Sequence, residues 1–258
     1  MNINNYITHT NDGFDLDTVS FTPDTSNGHI IVMCHGLTGV RQGRTADDTY
    51  LVDLAQKLCS MGYKVVQFGW RGHGNSSGND TDVCCKSFYT DLDTIIRNEQ
   101  QGLSLSLWGW SIGGFAILQY LLNTNIQVDR VCLWSPVVDP ISSFFYNKNS
   151  VACYRSIVDS TKDGSLYTNG YALWSAKNFK ISLDFLNQSR SFDYLKAFNL
   201  LPKNTYILLG DNDVIVDKSI AQNYAEEFGI KYDIISGGHA LFENIDKVIN
   251  LTVDYFKI

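Results

Sequence analysis

From His29 onward, short apolar runs alternate with segments whose apolar residues recur three and four positions apart, and nothing else restricts the fold as much. The runs are "HIIVMCHG", "YKVVQFGW", "LSLSLWG", "DRVCLWSP", "TYILLG" and "KYDIIS". Between the first two lie Leu51, Leu54, Ala55 and Leu58 at helical spacing, ended by Gly62. Phe88, Leu92, Ile95 and Ile96 make a second such stripe, and "IGGFAILQYLLN" leaves the third run. A helix is expected from about Lys218 to Phe228, and the chain closes on the amphipathic set Ile245, Val248, Ile249, Thr252, Val253 and Phe256. Strands joined through helices pair in parallel, so this order predicts an α/β fold with a mostly parallel sheet between helical layers. The start differs. "FDLDTVSFTP" alternates apolar and polar, and "SNG" separates it from "HIIVMCHG", which predicts an antiparallel hairpin at the sheet edge.

The alternation lapses from Asp139 to about Gln188. Phe144, Phe145, Tyr146, Tyr154, Tyr167, Tyr171, Trp174, Phe179 and Phe185 crowd into this stretch without a strong period. So long an aperiodic segment between two core strands predicts an inserted cap over residues 139–188, leaving 1–138 and 189–258 as the core.

Composition excludes several partners. The net charge is −7 and Lys and Arg nowhere cluster, which argues against nucleic acid. The N-terminus lacks a basic stretch followed by an apolar one, and the longest apolar runs fall short of a membrane span. A cytoplasmic protein is therefore expected. Cys34 and Cys132 lie in strand runs, Cys59 on a helix, and the adjacent Cys84 and Cys85 match no metal-site spacing, so these and Cys153 read as free, buried thiols. No metal or dinucleotide motif is present, and no cofactor is expected.

The chemistry concentrates at strand ends. "GWSIGG" sets Ser111 between Gly109 and Gly113, with a strand run before it and an apolar helix after it. Glycines that remove side chains where strand and helix nearly collide let a serine take a strained, exposed bend. A hydroxyl needs a base, a group to orient the base, and donors for the oxyanion that forms. In "VMCHGLTG" the chain turns over the sheet edge, where the Leu37 N–H can pair with that of Ile112; His35 reads as structural, as does His73 in "FGWRGHGNSSG". The base is expected at His239, which "SGGH" brings past a strand end on flexible backbone. The orienting acid is expected at Asp213 in "GDNDVIVD", with Asp211 its rival and Asp217 read as a helix cap.

The ordered set "HGLTG", "WRGHGNSSG", "GWSIGG", "GDNDVIV" and "GGHALF" resembles the α/β-hydrolase superfamily over nearly the whole chain. Within it the sequence is similar to small esterases of the cinnamoyl/feruloyl-esterase and serine-aminopeptidase-like group. The resemblance implies an eight-stranded, mostly parallel sheet with a lid inserted after the sixth strand. It implies a nucleophile at Ser111, an acid at Asp213, a histidine at His239, and oxyanion donors on the backbones of Leu37 and Ile112. Serine as nucleophile implies acyl transfer to water through an acyl-serine, with a small acyl or aryl ester or thioester as substrate. Peptidase and C–C hydrolase chemistry are the alternatives on the same fold; Asp159 and Asp163 are the carboxylates available to capture a substrate amine. A receptor that kept the fold without turnover is the reading of another class. Oligomeric state is left open.

Overall fold

A computed structural model of the chain describes residues 1–43, 45, 48–142 and 151–257. In chain order the first half holds β1 (Asn2–His9), β2 (Asp15–Thr22), β3 (His29–Cys34), α1 (Tyr50–Ser60), β4 (Lys64–Phe68), α2 (Cys85–Glu99), β5 (Ser104–Trp110), α3 (Ile112–Asn123) and β6 (Val128–Trp134). The segment that breaks the alternation holds α4 (Val151–Lys162), α5 (Ser165–Asn169), β7 (Tyr171–Trp174), β8 (Phe179–Ser182) and α6 (Leu183–Arg190). The chain then adds α7 (Tyr194–Asn199), β9 (Thr205–Gly210), α8 (Lys218–Phe228), β10 (Lys231–Ile235) and α9 (Ile245–Phe256).

Eight strands form one sheet in the order β1-β2-β4-β3-β5-β6-β9-β10. All pairs from β4 to β10 are parallel, so helices cover both faces, and the inner strands are buried on both sides. Successive residues therefore feed two cores. Ile30, Val32 and Cys34 pack with Leu105, Leu107, Val131 and Leu133 beneath α2 and α3. Ile31 and Met33 pack with Trp108, Cys132, Trp134 and Leu208 beneath α1 and α9. The third helix, α3, is buried from Ile112 through Leu121, as its nearly continuous apolar sequence demands.

The edge hairpin is not the one expected. The strand β2 does not pair with β3; it lies antiparallel on β4, with Thr18 opposite Phe68 and Phe21 opposite Val65. Its hairpin partner is β1, in register from Asn2 opposite Thr22 to His9 opposite Asp15. The run "NINNYITH" has too few apolar residues to announce a strand, because an edge strand is held by ladder hydrogen bonds more than by burial. The "SNG" stretch instead serves a crossing loop, tied down where the Asn27 N–H donates to the Gly62 carbonyl at 2.9 Å.

The aperiodic segment follows the sixth strand. β7 and β8 form an antiparallel hairpin, Tyr171 opposite Ser182 and Trp174 opposite Phe179. Its turn includes Asn178 at φ 48°. Core contacts anchor it: the Lys180 N–H donates to Asp80 Oδ2 at 2.6 Å and Ser182 Oγ donates to the Val83 carbonyl at 2.9 Å. Phe185 stands edge-on to Phe88 and Phe115, each 6.3 Å away, so part of the aromatic cluster extends the main core. Phe144, Phe145 and Tyr146 lie outside the described residues, as do the side chains of Tyr154 and Cys153. Of the other cysteines, Cys34, Cys59, Cys85 and Cys132 are buried and free, and Cys84 is free but only half-buried, at the cap of α2. No helix among the described residues is long and apolar enough to cross a membrane.

Candidate active site

Two central strands and two loops converge at the C-terminal edge of the sheet. Ser111 is the single residue between β5 and α3, at φ 56° and ψ −118°. That conformation costs a non-glycine residue roughly 1–3 kcal/mol and persists only where the surroundings over-determine it. Here they do. The Ser111 N–H donates to the Trp134 carbonyl at 2.9 Å, and the Ser111 carbonyl accepts from the N–H groups of Gly114 at 3.0 Å and Val137 at 2.9 Å. The flanking glycines are steric necessities: a Cβ on Gly113 would lie 2.1 Å from the Cys34 carbonyl oxygen, and one on Gly109 would lie 2.7 Å from Ile117 Cδ1.

His239 follows β10 through Gly237, whose φ of 142° suits glycine alone. Its Nε2 lies 2.8 Å from Ser111 Oγ and its Nδ1 lies 2.8 Å from Asp213 Oδ2. The Asp213 side chain is only 2 % exposed, and its Oδ1 accepts from the N–H groups of Ile215 and Val216, both at 2.9 Å. An ionised Asp213 facing Nδ1 makes that nitrogen the protonated one, and Nε2 is then free to accept from the serine hydroxyl. The rival, Asp211, does different work: its Oδ1 accepts from the Gly237 N–H at 2.8 Å and so shapes the loop that carries His239. Asp217 caps α8, accepting from the Ser219 N–H at 3.0 Å.

Above the serine, the loop after β3 bends through Thr38 at φ 62°. Two buried histidines hold it. His35 Nδ1–H donates to the Gly36 carbonyl at 2.8 Å while Nε2 accepts from the Trp70 N–H at 3.2 Å. His73 Nε2 accepts from the Thr38 N–H at 3.3 Å while Nδ1–H donates to the Arg71 carbonyl at 3.0 Å. Burial, and then the neighbouring His73, depresses the His35 pKa to about 3; burial also lowers that of His73. Both rings therefore stay neutral and keep one accepting nitrogen. Arg71 fixes the His73 loop in turn, bridging Asp91 at 2.6 Å and Asp12 at 2.7 Å. Among the described residues the Leu37 N–H has no acceptor, and Ile112, opening α3, has none within its helix.

A cavity of about 310 Å³ opens over Ser111 and His239. Leu37, Trp110, Val137, Trp174, Ile215 and Phe242 supply its apolar wall, and Lys177 and Glu243 are the charged residues lining it. Asp159 and Asp163 do not line it. Sequence reasoning missed Trp110, Lys177 and Glu243. Trp110 reads as one more apolar residue of the β5 run; Lys177 sits in the aperiodic segment and Glu243 in a loop, where no spacing points to a cavity. Among the described residues no group of three or more His, Cys, Asp or Glu side chains is placed to hold a metal ion.

Comparison with known proteins agrees with this architecture. A family model described as serine aminopeptidase, S33, matches residues 26–166, more than half of the chain. The match ends before Asp213 and His239. The lysophosphatidylserine lipase ABHD12 of Danio rerio is 32% identical over 114 residues, 43% of this chain and 28% of that protein. The chain thus spans little more than a quarter of the length of the relative it matches. The α/β hydrolase GrgF from Penicillium sp. sh18 superposes with a TM-score of 0.72 at 18% identity, covering 99% of this chain and 98% of that one. The Pyrococcus furiosus esterase Pf2001 superposes with a TM-score of 0.67 at 16% identity, covering 98% and 90%. At such identities the superpositions establish the fold alone.

Proposed function

The chain belongs to the serine aminopeptidase (S33) family of α/β-hydrolases, and from that premise we propose that it cleaves a carboxylic ester through an acyl-serine intermediate. The observation that carries this reading is the continuous relay Ser111 Oγ, His239, Asp213, each link 2.8 Å, at the floor of a largely apolar cavity. His239 Nε2 takes the hydroxyl proton as Ser111 Oγ attacks the acyl carbon. The Leu37 and Ile112 N–H groups receive the oxyanion, and Asp213 stabilises the imidazolium. The imidazolium returns its proton to the leaving alcohol, and a water repeats the sequence on the acyl-enzyme. The cavity wall made by Trp174 and Lys177 supports a lid role for residues 139–188. The free thiols suit a reducing compartment such as the cytoplasm.

A fluorophosphonate probe tests the reading without a guess at the substrate. It is expected to modify Ser111 alone, and Ser111→Ala is expected to lower kcat on a short-chain ester by about 10⁶. Modification at another residue, or activity retained by Ser111→Ala, would overturn the proposal. One observation favours a second reading, release of a small N-terminal residue from a peptide: Glu243 lines the cavity and could face a substrate ammonium. Turnover of aminoacyl amides in preference to esters would select it. An acyl thioester differs only in the leaving group, and a matched thioester in the same panel separates it.

A further inference from the structure

Two residues of the cavity wall carry a hydrogen-bond donor with no acceptor among the described residues. Lys177, at the end of the turn Ser175–Lys177 between β7 and β8, lines the cavity and makes no ion pair or hydrogen bond among the described residues. Three residues earlier, Trp174 is 7 % exposed, and its Nε1–H is buried without an acceptor among the described residues. The indole N–H is shut off from solvent, so the donor within a ligand's reach is on the exposed Lys177 side chain, and closing a ligand over that ammonium strips water that an anion replaces well.

The other charge in the wall is already engaged. Glu243 Oε2 accepts from the Gly238 N–H at 3.3 Å, within the loop that carries His239. One of its carboxylate oxygens thus serves its own loop, whereas the Lys177 ammonium has no partner among the described residues. The remaining side chains around the reacting groups are mainly apolar, so a substrate with one charged group and an otherwise apolar body matches the cavity's charge pattern.

We infer that Lys177 is a specificity-determining residue that binds an anionic group, a carboxylate or phosphate, carried by the ester substrate. The inference rests on the serine-hydrolase reading and names the substrate class for it. The group can sit on either side of the scissile bond, and the test addresses both. Kinetics at low ionic strength would compare para-nitrophenyl hydrogen adipate with para-nitrophenyl hexanoate, which places the anion on the acyl chain. They would also compare meta-(hexanoyloxy)benzoate with phenyl hexanoate, which places it on the leaving group.

In at least one pair the anionic ester is expected to have the higher kcat/KM, by about three- to ten-fold, mostly through a lower KM. Added salt should erode the preference, Lys177→Arg should keep it, and Lys177→Gln should bring the ratio to about one. Lys177→Glu should reverse it. Equal handling of both pairs by the wild-type protein overturns the inference, as does a preference that survives in Lys177→Gln. So does a preference for hexanoylcholine that Glu243→Gln abolishes, which would make Glu243 the selecting charge. Failure of the underlying reading looks different: Ser111 would escape the fluorophosphonate and no ester in the set would turn over.

Discussion

The indole Nε1–H of Trp110 donates to the main-chain carbonyl of His239 at 3.3 Å, and its ring lies 6.2 Å from the imidazole. The residue immediately before Ser111 thus fastens the loop that sets the His239 imidazole beside it. Phe242 stands edge-on to the same indole at 6.1 Å, closing the cluster. Trp110→Phe keeps a ring and loses the hydrogen bond, a net term of about 0.5–1.5 kcal/mol. The rate of fluorophosphonate labelling at Ser111 is expected to fall roughly two- to ten-fold, in a protein that stays folded with a modestly lowered unfolding midpoint. Wild-type labelling in this variant would reduce the bond to a packing detail.

Gly113 leaves no room for a methyl group, since its Cβ would fall 2.1 Å from backbone rather than from a side chain able to move. Gly113→Ala is expected to lose about 3 kcal/mol or more in urea unfolding, at the upper end of overpacking costs. Any folded fraction should resist labelling at Ser111, because the helix start must shift to accept the methyl.

The two aspartates of the loop after β9 should separate cleanly. Asp213→Asn preserves shape but disturbs the imidazole tautomer, and kcat is expected to drop by about 10⁴, as in a related triad. Asp211→Ala removes the acceptor for the Gly237 N–H and is expected to cost about 1 kcal/mol of stability with a much smaller loss of kcat. The reverse ranking in steady-state assays would hand the orienting role to Asp211.

His35 and His73 make stability depend on acidity. Both have native pKa values depressed below the ordinary 6.5, His35 to about 3, so the unfolded chain binds their protons first as pH falls. The His35 contribution is intact above pH 6.5 and is lost between there and about 3, at up to about 1.4 kcal/mol per pH unit, and that of His73 is lost in the same direction as pH falls below 6.5. Urea unfolding at a series of pH values is expected to show this slope. His35→Gln should be less stable at pH 7 yet lose less on acidification, a comparison that cancels the shared carboxylate titrations. Parallel wild-type and variant curves would mean that His35 is not held neutral.

The parallel sheet and the juxtaposition of Ser111, His239 and Asp213 were readable because physics ties them to local pattern. Buried parallel strands must be apolar on both faces, which marked β3 through β6 and β9. A serine between β5 and α3 required Gly109 and Gly113 beside it. His239 and Asp213 followed as strand-end loop residues, and folding brings both within hydrogen-bond reach of the relay. The edge was misread because β1 is held by backbone pairing and has little apolar content to display. Lys177 and Glu243 escaped for a related reason: a cavity wall assembled from an insertion and a loop leaves no period in either, and no single segment encodes that they face a common space.

Ser111 is welded into the interior, since α3 starts on it and is buried nearly all round. The hairpin β7–β8 is joined to that body by the polar ties of Lys180 and Ser182 and by Ala172, Trp174, Phe179 and Ile181, which pack into the same core. Both the bend and the hairpin's inner face are thereby set in packed interior. At the hairpin's turn Ser175, Lys177 and Asn178 are exposed, so change is tolerated there that neither the bend nor the hairpin's inner face would bear.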